Sequence, residues 1–302
     1  MPRISNFASL FKKTVSEFSD DDCMTLAAAL AYYTVFSLPS ILMIVIFIAS
    51  SVLGQGTQGA TTQGIGQTVG PGVGGQVSEM VQHAQQQTSG GTIAAIFAVI
   101  GLAFSATSAL VQLQTSLNRA WDVKTDPNAS GWKTFLWKRI YSFGLFVAVG
   151  VLLIVFLALS ALAQKFGNLL PIPGFLIVLA EALISLGVIT FLFAAIFEVL
   201  PDVEITWDDV WVGAFVTAIL FVIGKYLVGL YLSHSGVASG YGAAGSLAVL
   251  LLWTYYSAIT FLLGAEFTQV WVRRKGREIQ PSKGAVRIIE REERPDQMRP
   301  AA

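Results

Sequence analysis

Long stretches of this 302-residue chain contain almost no charge, and that pattern constrains it more than any other feature. A hydrocarbon core about 30 Å thick is crossed by about 20 apolar residues in a helix. Six stretches reach that length: Leu26–Leu53, Thr92–Leu117, Ile140–Ala163, Gly174–Leu200, Val210–Leu232 and Ala243–Val272. Only 13% of the residues are charged against 54% hydrophobic, roughly half the charged share of a soluble domain. The runs of Leu, Ile, Val and Phe do not alternate with period two, which argues against a membrane β-barrel. Helices satisfy every backbone group inside lipid. The expectation is an all-α polytopic membrane protein, a bundle of six transmembrane helices.

Orientation follows from the basic residues of the loops. The N-terminal segment, the even loops and the C-terminal tail hold seventeen Lys and Arg; the opposite loops hold one, Lys165. Both termini are therefore expected in the cytoplasm. Three parts follow: an amphipathic segment over 1–22, a membrane domain over 23–272, and a charged tail over 273–302, expected to be disordered. Residues 54–91 read as a Gly-rich flexible outer loop, or as a lid over a cavity. The first apolar run follows Asp20, Asp21 and Asp22 and exceeds a signal-peptide core, so no cleavable leader is expected.

Net charge is zero, so no overall field draws in nucleic acid. With one cysteine, Cys23, no intramolecular disulfide can form. Phosphate-loop, H-E-x-x-H and G-x-S-x-G motifs are missing. His83 has Glu79 four residues before it, a weak metal signal. No metal, cofactor or catalytic residue is expected.

Ionisable groups inside spans mark sites or partners. Lys225 reads as a cation for an anionic substrate, as a counter-ion, or as a residue snorkelling to the interface. Depth pairs it with Glu181. Glu266 and Glu198 lie near the inner ends of their spans, and Glu181 or Glu266 would serve as counter-ion or proton-coupling group. Asp20–Asp22 read as helix caps. Gly101, Ser105 and Ala109 form a small-residue packing stripe. The inner half of that span is polar, so Gln112, Gln114 and Asn118 meet protein or a wet cavity, and Tyr32 joins them as a candidate binding residue. Pro39 is expected to kink or open the first span. Gly240, Gly242 and Gly245 read as an unwound segment lining a site, or as a tight turn. Thr206-Trp-Asp-Asp209 reads as a capping box opening the fifth span, with Trp207 and Trp211 at the interface.

Several segments together resemble the YihY/BrkB family of bacterial inner-membrane proteins. They are Leu26-Ala-Ala-Ala-Leu-Ala-Tyr-Tyr-Thr-Val-Phe-Ser-Leu-Pro39, then Phe104-Ser-Ala-Thr with Gln112-Leu-Gln and Leu117-Asn-Arg-Ala-Trp121. Leu200-Pro-Asp-Val203 follows with Trp207 and Gly213-Ala214, then Tyr241-Gly-Ala-Ala-Gly-Ser246, Trp253-Thr-Tyr-Tyr256 and Gly264-Ala-Glu-Phe267. The similarity runs from about Asp22 to Trp271. It implies six spans in a bacterial inner membrane. Members have carried the label ribonuclease BN and have been discussed as serum-resistance factors and envelope-lipid transporters. The acidic loop 201–209 would repel RNA, which argues against the nuclease. The reading favoured here is transport or flipping of an anionic lipid or amphiphilic metabolite without ATP of its own. The rivals are a membrane scaffold for envelope enzymes and, remotely, a membrane-bound ribonuclease. Membrane lipids are the expected partners, with a homo-oligomer an open alternative and no nucleic acid.

Overall fold

The computed structural model describes residues 5–53, 107–126, 174–235 and 245–289, with two isolated positions, Gly144 and Val151. The helices are α1 (Ser5–Asp20), α2 (Cys23–Leu53), α3 (107–120), α4 (Gly174–Val199), α5 (Trp207–Ser235) and α6 (Gly245–Arg274). Four short strands complete the described chain: β1 (Val123–Thr125), β2 (Val203–Glu204), β3 (Gln280–Pro281) and β4 (Ala285–Arg287). The expected first, fourth, fifth and sixth spans coincide with α2, α4, α5 and α6 to within a few residues. The second span is described only over α3, which runs three residues past Leu117. The third span lies outside the described residues apart from Gly144 and Val151, and the Gly-rich stretch 54–91 lies wholly outside them.

Within α4, α5 and α6, the stretches Ala182–Val199, Trp207–Tyr231 and Leu247–Arg274 are long and apolar enough to cross a membrane. They also leave large apolar side chains uncovered, Tyr226 by 72% and Leu183 by 61%. So much exposed hydrocarbon is stable against lipid and costly against water.

The helices approach closely where the sequence supplies small residues. α6 packs on α5 and α2, and α4 packs on α5. The α5–α6 seam has a reciprocal motif. Thr217 Oγ1 bonds the Gly213 carbonyl on its own helix at 2.7 Å, and Thr268 Oγ1 bonds the Gly264 carbonyl at 2.7 Å. Each hydroxyl then lies over the other helix's glycine, so a Cβ on Gly213 would overlap Thr268 and one on Gly264 would overlap Thr217. Back-bonding satisfies the hydroxyl inside an apolar bundle, and the missing Cβ lets the backbones meet. One turn and more further along, Tyr256 fills the space over Gly224 and donates to the Leu220 carbonyl at 3.2 Å.

The start of α2, the ends of α3, α4 and α6 and the start of α5 gather at one end of the bundle. Two small sheets fasten them: β1 pairs antiparallel with β4, and β2 with β3. The core is densest here, with Trp121, Phe197, Val210 and Leu262 all fully buried. Asp22 and Asp122 hold left-handed backbone (φ 50° and 53°) where the chain turns; aspartate tolerates this as few side chains do. Gly276 (φ 74°) reverses the chain after α6 and returns it across the bundle end.

The C-terminal segment departs from expectation. Composition alone marks everything after Arg273 as a disordered tail, yet residues 275–289 form β3, β4 and their turns. The physical reason lies in the partners. Asp209 is buried and accepts Arg277 Nη1 at 2.6 Å and Lys275 Nζ at 3.3 Å. Ile279 buries its side chain in the core, and the Arg287 guanidinium donates to the Ile279 carbonyl at 3.1 Å. Local charge thus makes an ordered strap, not a solvated tail.

α1 divides its side chains between bundle and surroundings. Its Leu10 and Thr14 are buried, while Phe11, Lys12, Lys13 and Val15 are exposed. It packs against α6 and α2.

Candidate functional site

The site has an apolar chamber and a polar floor. The chamber has a volume of about 310 Å³ and is walled by five helices. Leu30 and Thr34 come from α2, Ala109 and Leu113 from α3, and Phe193 and Ile196 from α4; Phe221 on α5 and Thr254, Ala258 and Phe261 on α6 complete the wall. A dry hydrocarbon-lined cavity half this size, ~150 Å³, already takes up benzene. Its wall mixes large and small side chains: Phe193 and Phe261 meet ring to ring with centroids 6.0 Å apart, and Ala109 and Ala258 add short ones.

The floor lies toward the fastened end, about 7.5 Å beyond Phe261 along α6 and about 10 Å before Leu30 along α2 at 1.5 Å per residue. Glu266 is fully buried there. Cys23 Sγ donates to Glu266 Oε1 at 3.4 Å. Asp21, only 7% exposed, lies within hydrogen-bond reach of the Glu266 carboxyl and pairs with Arg119 Nε at 3.2 Å. Gln269 Nε2 donates to Asp122 Oδ2 at 3.0 Å, and Arg273 pairs with the same carboxylate. Three acceptor atoms in this group, Asp21 Oδ2, Glu266 Oε2 and Gln269 Oε1, are buried without a donor. Burial, then the nearby Asp122 charge, pushes the Asp21 carboxyl up to about 6, against the pull of Arg119.

A second polar knot fastens the base. Asp202 Oδ2 accepts Asn118 Nδ2 and Thr125 Oγ1, both at 3.1 Å; Oδ1 accepts Gln114 Nε2 at 3.3 Å. The Asp202 amide returns a bond to Asn118 Oδ1 at 2.8 Å. Gln112 Nε2 turns instead to Ser116 Oγ at 3.3 Å. Gln114 and Asn118 thus meet protein, bound to a loop 84 and more residues away. Thr206 Oγ1 donates to Asp209 Oδ2 at 3.0 Å, so this pair opens α5 in a variant of the expected box. Trp207 and Trp211 lie partly exposed against Phe191.

Lys225 is half-buried on α5, one turn beyond the chamber-lining Phe221 and on the same helix face. Glu181 is placed on α4 by its backbone alone; from 181 to 199 and from 207 to 225 are eighteen steps each, so the two stand level in their hairpin. Tyr32 is 55% exposed, meets Tyr33 edge-on and lies tilted against Phe36, and is not among the residues of the chamber wall. α2 continues as helix through Pro39. Gly245 is the first residue of α6, while Gly240 and Gly242 lie outside the described residues, as does His83. Asp21, Cys23 and Arg119 are the floor residues that sequence reading passed over, since Asp20–Asp22 looked like caps. Asp22 does serve locally: its Oδ1 accepts Thr25 Oγ1 at 3.0 Å. Among the described residues no three His, Cys, Asp or Glu side chains converge as metal ligands.

Residues 14–289 match the family described as virulence factor BrkB. The chain belongs to the BrkB family. Several of its relatives carry membrane-protein names. A UPF0761 membrane protein of Alcanivorax borkumensis is 23% identical over 95% of this chain and 66% of its own length. A UPF0761 membrane protein of Tolumonas auensis is 38% identical over 32% of this chain and 30% of its own. A ribonuclease-like protein of Bacillus subtilis, YfkH, is 24% identical over 88% of this chain and 96% of its own length. The chain thus spans less than two thirds of the first two relatives, and nearly all of the third. No solved structure matches it. This BrkB-family chain is a membrane protein with a chamber inside its helical bundle.

Proposed function

We propose that the protein moves an anionic lipid or amphiphilic metabolite across a bacterial inner membrane, with six spans and both ends in the cytoplasm. The chamber carries this reading: an apolar volume of about 310 Å³ inside a membrane bundle suits an acyl chain. Lys225, one helical turn from the wall, supplies the charge that an anionic head group requires, and Glu181 at the same level supplies its counter-ion between loads. No phosphate-loop motif accompanies them in the sequence, so the reading is of movement without ATP of the chain's own. The nuclease reading has little support at the acidic loop, because Asp202 and Asp209 already spend their oxygens on Gln114, Asn118, Thr125, Arg277 and Lys275.

Mass spectrometry of lipids that co-purify with wild type, Lys225→Met and Ala109→Leu is the test. An anionic amphiphile enriched on wild type and reduced on both variants supports the proposal; equal bulk lipid on all three overturns it. The scaffold reading predicts silent variants at both positions and loss of partner recruitment when the chain is cut after Ile289. Cutting at Arg273 would remove β3 and β4 as well and so could not separate the two readings.

A further inference from the structure

We propose that Asp21 and Glu266 form a buried proton-binding site: Glu266 carries the proton and donates it to the Asp21 carboxylate. The two carboxyls lie within hydrogen-bond reach, at the junction where α1 and α2 seat on α6. Each keeps one buried oxygen to which no donor is directed. Two carboxylates cannot face each other in that state, since neither offers a hydrogen and both repel. One proton satisfies both orphan oxygens, as in other close carboxyl pairs. The proton is the ligand this pair of facing carboxyls fits; among the described residues no group of three His, Cys, Asp or Glu side chains is arranged to hold a metal ion.

The surrounding charges suit one proton and not two. α3's end contributes Arg119, whose Nε lies 3.2 Å from Asp21 and balances the single remaining charge. Asp122 and, on α1, Glu17 bear on the pair with the opposite sign. Both are themselves countered by Arg273 of α6. α2 contributes the Cys23 thiol, which donates to the other Glu266 oxygen. From α4 and α5, Phe197, Val210 and Ala214 pack into the adjoining core. Release takes the proton from Glu266 through Asp21 to water, leaving a doubly charged pair beside one guanidinium. Asp21's carboxyl, held up at about 6, agrees with this arrangement. The site stands whether or not the chamber carries a lipid.

Infrared difference spectroscopy of the full chain in phosphatidylcholine nanodiscs tests it. Spectra are stepped between about pH 5 and about pH 9, across the range where ordinary carboxyls are already ionised. Cys23 is the one cysteine in the chain, so its S–H stretch reports the same site without labelling. The expected result is a protonated-carboxyl C=O band that persists at neutral pH, disappears in Glu266→Gln and moves in frequency in Asp21→Asn. The single S–H band should shift in step with it as the pH rises. A neutral-pH spectrum with no such band, or a band that neither substitution alters, overturns the proposal. Folding is checked by Cys23 staying unreactive toward a maleimide until denaturation. Should Glu266→Gln fail that check, Asp21→Asn decides: a shifted band supports the pair and an unchanged one overturns it.

Discussion

Replacing Asp202 with alanine removes the acceptor of three side-chain donors at once, Asn118 Nδ2, Thr125 Oγ1 and Gln114 Nε2. Asn118 is buried and cannot turn to water; an orphaned buried donor costs about 1–3 kcal/mol. Gln114 is half-buried and Thr125 is exposed, so both retain access to water, and about 0.5–1 kcal/mol each is expected from the net worth of an ordinary hydrogen bond. The carboxylate's own desolvation disappears with it and offsets part of this loss, leaving about 3 kcal/mol. Asparagine keeps one acceptor oxygen, which can stay on Asn118 and Thr125 while Gln114 flips its amide, so Asp202→Asn should cost about 1 kcal/mol. At about 2–4 °C per kcal/mol for a chain of this size, the apparent Tm in nanodiscs falls by roughly 6–12 °C for alanine and 2–4 °C for asparagine. Thermal unfolding read from tryptophan fluorescence suits the assay, because Trp121 follows directly on α3 in the core beside the knot. An Asp202→Ala protein that melts with wild type refutes the reasoning. So does Asp202→Asn costing as much as alanine, since the knot would then depend on charge and not on acceptor geometry.

Gly264→Ala or Gly213→Ala should each destabilise by about 1–3 kcal/mol through overpacking, and Thr217→Ala should rescue Gly264→Ala specifically, measured as recovered Tm. Asp21's folded-state carboxyl is raised from 3.8 to about 6, so the folded chain holds a proton there that the unfolded chain has lost. Stability from this group is therefore greatest at low pH and falls as pH rises through that window; Asp21→Asn should lack that slope in a pH series of apparent Tm values. Asp209→Ala frees Arg277 and Lys275 and should make the chain after Arg274 a trypsin site, seen as loss of the C-terminal peptide under conditions where wild type stays whole. Equal cleavage of the two proteins would count against the strap being held by Asp209.

Three helices long and apolar enough to cross a membrane were legible, because a long run of apolar residues is a signal that survives any error in its ends. The polar half of α3 was legible too, in that Gln114 and Asn118 need a partner, but nothing local names Asp202, 84 residues on from Asn118. Glu266 was read as a group near the inner end of its span, while its partners Asp21 and Cys23 lie more than 240 residues earlier, and Asp21 looked like one of the local caps of a helix start. The strap was hidden for a related reason. Gln280–Pro281 and Ala285–Arg287 are too short and polar to announce strands, and a strand of two or three residues exists only when its partner is in place. Depth alone put Lys225 level with Glu181, since hairpin arithmetic needs only the turn between them.

The order in which the chain is made bears on the β2–β3 pairing. Glu204 leaves the ribosome 76 residues before Gln280, and at roughly 5–20 residues per second that is a wait of about 4–15 s. During that interval the later helices insert while the loops at their base hold open edges. A chain that stops short of Arg287 never completes the last pairing, whatever its helices have achieved. The final stretch of translation thus acts as a seal of completeness, and a nascent protein that lacks it presents quality-control proteases with an unlatched base.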